Sequence, residues 1–244
     1  MKTLLLFRAF APVDFKNIWR DAMLVWIPLL PLILTLALRF LAPPLADLLL
    51  RQFDLDLTPY YPLLMSMFVL LIPATVGMIV GFLLLDERDE RTLLALMVTP
   101  MSNTSYLTYR IGVPLVIGFF ITLITYPLAG LVPIAPLDLV IVSLLGAFTA
   151  PLIALFLAAL SENKVAGLAM LKMLNGITIL PIVSYFVPAN WQWLAGIIPT
   201  YWSLKVFWSA VAGDGYWLYV LIGLMVNVIA LVLLLRRWNT IMHR

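Results

Sequence analysis

The chain has no cysteine and a single histidine, His243, next to its last residue. Without thiols there is no disulfide framework, thiolate metal site or cysteine nucleophile. One histidine near the terminus builds neither an imidazole acid–base pair nor a histidine metal cluster. Charge is scarce too: 11% of the residues are Asp, Glu, Lys or Arg, against roughly 25% in a soluble domain. No H-E-x-x-H, G-x-S-x-G or G-x-x-x-x-G-K-[ST] pattern occurs, so the signatures of zinc proteases, serine hydrolases and ATP-hydrolysing loops are all missing. Every Asp and Glu falls in a predicted loop or at a predicted helix end, which leaves no carboxylate pair for an intramembrane aspartyl protease. The expectation is a chain that is not an enzyme and that binds no cofactor or metal itself. The net charge of +3 reads as a loop bias, with no nucleic-acid partner.

What abounds is hydrocarbon. Hydrophobic residues make up 64% of the chain, and the mean hydropathy is +1.08. Apolar windows of about 20 residues predict six membrane-spanning helices, near residues 22–42, 61–85, 111–132, 139–160, 165–187 and 216–235. The windows lack the polar–apolar alternation of membrane barrel strands. The prolines inside several of them suit membrane helices, where neighbouring groups re-satisfy the freed carbonyls. The predicted fold is therefore all-α: one transmembrane domain over 1–244.

Three segments fall outside the spans. Residues 1–21 mix Lys2, Arg8, Lys16 and Arg20 with Leu4 to Phe7, Phe10 and Trp19, as an amphipathic helix in a membrane interface does. Their apolar run is too short for a secretory leader, despite the A-x-A pattern at Ala9 to Ala11. Residues 188–215 hold Trp191, Trp193, Trp202 and Trp208 and read as a re-entrant or interfacial segment. A seventh crossing there would move Arg236, Arg237 and Arg244 to the outer side. With the N-terminus inside, eleven Lys and Arg residues lie inside and three (Arg39, Arg51, Lys205) lie outside. This bias predicts an even number of crossings with both termini cytoplasmic.

Few polar residues lie within the spans. Lys172 and Asn175 share a face of the fifth, so they line a water-filled path or Lys172 snorkels to the interface. Asn227 in the sixth span repeats the idea more weakly, with a helix–helix hydrogen bond as the alternative. Together the three are the candidate translocation-path residues. Gly77 and Gly81 in the second span, and Ala150, Ala154 and Ala158 in the fourth, form small-residue faces. Such faces serve close helix contact within one subunit or between two.

Residues 83–100, LLLDERDERTLLALMVTP, place six consecutive charges between two apolar stretches. Glu87 and Arg91 have the favourable i, i+4 order. Beyond them Leu93, Leu94, Met97 and Val98 share one face of a short predicted helix that ends at Pro100. The segment reads either as a solvated loop or as a docking surface for a cytoplasmic partner over 86–110.

These residues resemble the type-2 ABC exporter permeases, the membrane subunits of prokaryotic ATP-driven exporters. Their pattern between the second and third spans is roughly E-R-E-x-G-T-L-E-x-L-L-x-T-P, followed by a hydroxyl and a basic residue. It is matched by Glu87-Arg88-Asp89-Glu90-Arg91-Thr92-Leu93, Leu96-Met97-Val98-Thr99-Pro100, Ser102 and Arg110. Arg91 stands where the family has glycine, and Leu94 where it has an acidic residue. The N-terminal helix into Arg20-Asp21 and the Ile198-Pro199-Thr200-Tyr201-Trp202 segment also resemble family elements. Size and motif style are similar to those of small permeases known as fluoroquinolone exporters. The resemblance implies a permease in the prokaryotic plasma membrane, paired with itself or a sister permease and with two ABC ATPase subunits that hold ATP and Mg. It implies an ATPase-coupling site at Glu87, Arg88, Glu90, Arg91, Thr92, Leu93, Met97, Thr99 and Pro100, and a lipophilic or amphipathic cargo. The rival class is a stand-alone intramembrane enzyme, channel or scaffold.

Overall fold

The computed structural model describes residues 2–22, 24–89 and 103–242, and all regular structure among them is helical. Helix α1 (Lys2–Arg20) is followed by a 3-10 turn at Ile27–Leu29 and by α2 (Leu30–Phe53). A 3-10 turn at Thr58–Tyr60 leads into α3 (Tyr61–Asp89). Then come α4 (Asn103–Ala129), α5 (Pro136–Ala147), α6 (Thr149–Leu160) and α7 (Lys164–Val183). Short pieces at Ser184–Phe186, α8 (Ala189–Gln192) and Trp193–Ile197 precede α9 (Pro199–Ala212) and α10 (Trp217–Met242). Among the described residues six helical stretches are long and apolar enough to cross a membrane: Ile27–Phe53, Thr58–Asp89, Ser105–Ala129, Pro136–Leu160, Lys164–Phe186 and Trp217–Thr240.

Local chemistry sets the breaks. α5 and α6 form one span interrupted at Phe148, because Pro151 has no N–H to offer the carbonyl of Ala147. Pro199 opens α9, and Gly213 closes it at a φ of +77°, the left-handed stop that glycine adopts without strain. In the turn before α3, the hydroxyl and the N–H of Thr58 both donate to Asp56, which holds that carboxyl below the usual carboxylate range.

The first span differs from its predicted bounds of 22–42. Its helix starts later and continues through Pro43 and Pro44 to Phe53, where Asp54 turns it off at a φ of +53°. The carbonyls that the two prolines leave without helical donors belong to Arg39 and Phe40, both exposed, so their loss is tolerated. Arg39 donates to the carbonyl of Leu128 (2.9 Å), at the end of α4. Residues 40–53 therefore project beyond the end of the neighbouring span.

Burial separates an inner pair from a rim. In α3, 83% of the most apolar stretch is buried and in α5–α6 72%, against 17% in both α2 and α10. α3 packs most extensively on α6, through the small-residue faces noted in the sequence. A Cβ added at Gly77 would lie 2.4 Å from the carbonyl oxygen of Ala150, and one at Gly81 would lie 2.8 Å from Leu157. This close approach joins helices of one chain, which decides between the two uses left open above. α9 lies inside the bundle. Its Tyr201, Trp202, Val206 and Phe207 join Val69, Ile72, Tyr126 and Leu145 in an aromatic-rich core.

Gly77→Ala forces α3 and α6 apart and should cost about 1–3 kcal/mol, as overpacking does. A clear fall in the thermal midpoint of the detergent-purified chain, read by tryptophan fluorescence, checks this. Gly112→Ala, whose new methyl meets nothing within 4 Å, should leave the midpoint unchanged.

Candidate functional site: a charged end of the bundle

The helix ends nearest α1 gather most of the ion pairs. α3 finishes on Asp86-Glu87-Arg88-Asp89. Successive helical residues point about 100° apart, so Asp86 and Glu87 address different neighbours. Glu87 faces α4, where Tyr106, Tyr109 and Arg110 share one face at i, i+3 and i+4. α1 brings Phe10 and Asp14 to the same place by the same spacing.

Arg110 is the centre of this cluster. Its guanidinium meets Asp14 with both terminal nitrogens, Nη1 to Oδ2 at 2.9 Å and Nη2 to Oδ1 at 3.1 Å. Nη2 also pairs with Glu87. Tyr109 donates to Asp14 (2.9 Å) and Tyr106 to Glu87 (2.5 Å). The rings of Phe10, Tyr106 and Tyr109 lie 5.5–5.8 Å from the guanidinium carbon, within cation–π range. Only 2% of the Arg110 side chain is exposed, with 14% of Asp14 and 13% of Glu87. At that burial the planar guanidinium is worth more than an ammonium would be, since it serves two carboxylates and stacks on rings at once.

A second, wetter cluster lies beside it. Lys164, at the start of α7, pairs with Asp21 just past α1 and with Asp86 at 2.9 Å. Asp21 also accepts from the N–H of Leu24 (3.1 Å), which shapes the turn toward the first span. Asn163 caps α7 by accepting from the N–H of Ala166 (2.9 Å). Arg88 donates to the carbonyl of Ser161 (2.9 Å), just past the last turn of α6, a favourable place for a cation. α1, α3, α4, α6 and α7 are thus tied at one end. An apolar cleft of about 290 Å³ opens above Asp14 and Tyr109, walled by Ile18, Pro31, Val76 and Ile117.

Of the predicted coupling residues, Glu87 and Arg88 belong to this network. Glu90, Arg91, Thr92, Leu93, Met97, Thr99 and Pro100 lie outside the described residues. Glu87 faces inward to Arg110 and Tyr106, so it braces the segment's root and is not a free docking charge. The candidate path residues Lys172 and Asn227 have different surroundings. Lys172 is exposed on the flank of α7, the side chain of Asn175 lies outside the described ones, and Asn227 is buried but donates to the carbonyl of Gly223 in its own helix (2.8 Å). Asp14 and Lys164 escaped the sequence reading as site residues, and Asp21 entered it only as the end of the N-terminal helix. Their signal was a carboxylate in an otherwise basic helix and charges set hard against the ends of apolar runs.

A helical bundle of apolar spans with its charge concentrated at one end defines a polytopic membrane protein. Residues 14–235 match the family described as fluoroquinolones export permease protein Rv2686c-like, and the chain belongs to that family. It is 32% identical over 234 residues to the fluoroquinolones export permease protein Rv2686c of Mycobacterium tuberculosis (strain ATCC 25618 / H37Rv), covering 95% of this chain and 93% of that protein. The same figures hold for the fluoroquinolones export permease protein MT2760 of Mycobacterium tuberculosis (strain CDC 1551 / Oshkosh). No solved structure matches the chain.

Arg110→Met leaves Asp14 and Glu87 facing each other without their cation and should cost about 3–5 kcal/mol. The thermal midpoint should fall well below wild type. Adding Asp14→Asn and Glu87→Gln to the same chain should recover most of the loss, whereas Arg88→Met alone should shift the midpoint far less.

Proposed function

We propose that the chain is the membrane subunit of an ATP-driven ABC exporter, working as a dimer with itself or a sister permease. Two ATPase subunits, which hold the ATP and Mg, dock at the charged end. That end faces the cytoplasm, together with both termini, in the prokaryotic plasma membrane. The cargo is a lipophilic or amphipathic compound of the kind that names the family, a fluoroquinolone among them.

The observation that supports this reading best is the buried cluster of Glu87, Arg110 and Asp14. Glu87 stands at the near root of the 86–110 segment and Arg110 at the far root. Each is paired with the other, and α1 is clamped to Arg110 through Asp14. A displacement of the segment therefore reaches α3, α4 and α1 as one body. α3 is the most buried of the spanning helices, so movement at its end is felt through the core. Such coupling requires ATPase contacts that differ between two states of the permease, and the docking contacts fall to the charged and apolar residues from Asp89 to Pro100. The family membership and the relatives' printed names support export as the activity.

Co-expression with the ABC ATPase subunits of the native host tests the partnership. Glu90→Lys combined with Met97→Asp should abolish co-purification of the ATPase and ATP-driven uptake of a fluorescent fluoroquinolone into inverted vesicles. The thermal midpoint of the permease should stay at the wild-type value, in contrast to the Arg110 variant. Retained ATPase binding and transport in the double variant would refute the coupling role.

A further inference from the structure

The end of the bundle remote from Arg110 carries a pocket of a different kind. Its volume is about 360 Å³, and Pro62, Tyr185, Gln192, Lys205, Trp208 and Asp214 line it. By helical rise α3 runs roughly 38 Å from Pro62 to Glu87, so a ~30 Å hydrocarbon core separates the pocket from the charged cluster. Lys205 and Trp208 share a face of α9 at i, i+3, and Asp214 follows Gly213, which ends that helix. Tyr216, just beyond, donates to Asp138 in the first turn of α5 (2.5 Å). α9 therefore runs from the interior toward this end.

Lys205 is held in place without being neutralised. Its ammonium donates to Oε1 of Gln192 (2.8 Å), whose own Nε2 donates to the carbonyl of Val187 (2.9 Å). The ring of Tyr219 lies 5.5 Å from the same nitrogen, within cation–π range. Neither partner is charged, and among the described residues no carboxylate pairs with Lys205. An ammonium has three donors, so some remain for an anion. Asp214 is exposed at the rim, and its carboxylate likewise has no partner among the described residues. Lys164, at the other end, takes two carboxylates at once; here a positioned cation and a separate anion line one pocket and leave each other free.

We infer that this pocket binds the headgroup of a phospholipid that ends in a primary ammonium, such as phosphatidylethanolamine. Lys205 is the deeper of the two charges, since α9 rises roughly 10 Å from it to Ala212 before Asp214 is reached. The phosphate, next to the glycerol and the chains, accepts from Lys205 in a charge-assisted hydrogen bond. The ammonium, at the far end of the headgroup, donates to Asp214. A row of rings leads from the pocket to the lipid-facing flank: Trp208 to Tyr185 at 5.2 Å, Tyr185 to Phe186 at 5.5 Å and Phe186 to Tyr60 at 6.4 Å. Such rings mark headgroup depth. Past Phe186, Val183 and Leu180 are exposed along α7 and offer the acyl chains an apolar track, which a soluble zwitterion would leave bare. The binding does not depend on the cargo, and only the naming of this leaflet as the outer one rests on the exporter reading.

Photo-crosslinking of the purified permease in phosphatidylcholine nanodiscs, without ATPase, tests the site. The probes are phosphatidylethanolamine and phosphatidylglycerol, each with a diazirine at the top of one chain; the second has the phosphate but no ammonium. The readout is labelling of residues 180–186 relative to the exposed flank of α2, measured by mass spectrometry. Phosphatidylethanolamine should be enriched at 180–186 in the wild-type chain. Lys205→Met should reduce labelling by both lipids about tenfold, and Lys205→Arg should retain it. Asp214→Asn should reduce labelling by phosphatidylethanolamine by a similar factor and leave phosphatidylglycerol unchanged. Free phosphoethanolamine in the buffer should compete with neither. Asp214 is exposed, so its variant keeps the fold and decides the matter even if Lys205→Met lowers the thermal midpoint. Absence of enrichment in the wild-type chain, or equal behaviour of the two lipids in Asp214→Asn, overturns the site. Competition by phosphoethanolamine does so too, by assigning the pocket to a soluble zwitterion. None of these readouts involves ATP, so their failure leaves the exporter reading standing, and loss of ATP-driven uptake leaves the lipid site standing.

Discussion

At Gly77 nothing but hydrogen separates the backbone of α3 from that of α6, and the rest of the bundle is arranged around this contact. Between membrane helices the hydrophobic effect offers little, because lipid is as apolar as leucine. Close packing and polar ties must hold them together instead. Gly77 and Gly81 let α3 settle onto Ala150 and Ala154, which buries both helices on nearly every side. Once α3 is fixed against α6, its last turn falls between α4 and α7, and the charges there acquire partners. The tight contact in the interior and the ion pairs at the end are two consequences of one placement.

The two charged clusters differ in how hard they hold. Arg110 is sealed among three rings and two carboxylates, whereas Lys164 keeps about a quarter of its side chain exposed. A buried pair resists separation because parting it strands a charge, while a half-exposed pair exchanges its partners for water at little cost. The bundle end thus combines a stiff joint, linking α1, α3 and α4, with a looser one linking α1 and α3 to α7. That gradient gives a conformational change a natural place to yield. α7 is also one wall of an apolar cleft of about 300 Å³ that it shares with α6 and α10.

Much of this was legible in the chain. Apolar runs of spanning length, the charged interruption after the second run, the tryptophan-rich stretch before the last and the small-residue spacings are all local properties. Each survives folding because it constrains the residues that carry it. Arg110 was visible as part of a motif, but its partner was not: Asp14 lies 96 residues away. Glu87 too was visible as part of that motif, but its rotation about α3 toward Arg110 and Tyr106 was not. Lys172 and Asn227 looked alike as polar residues in apolar spans, yet one is exposed on a flank and the other is absorbed by its own helix.

The sequence by itself determined that this is a multi-helix membrane protein with its charge gathered in a few short segments, because hydrocarbon thickness is matched by run length alone. Only the tertiary structure decided which way each helix turns. These helices are apolar nearly all round, so no amphipathic stripe announces the inner face, and rotation is chosen by where glycine and alanine allow backbones to meet. That choice brought Asp14 to Arg110 and set the aromatic core around α9.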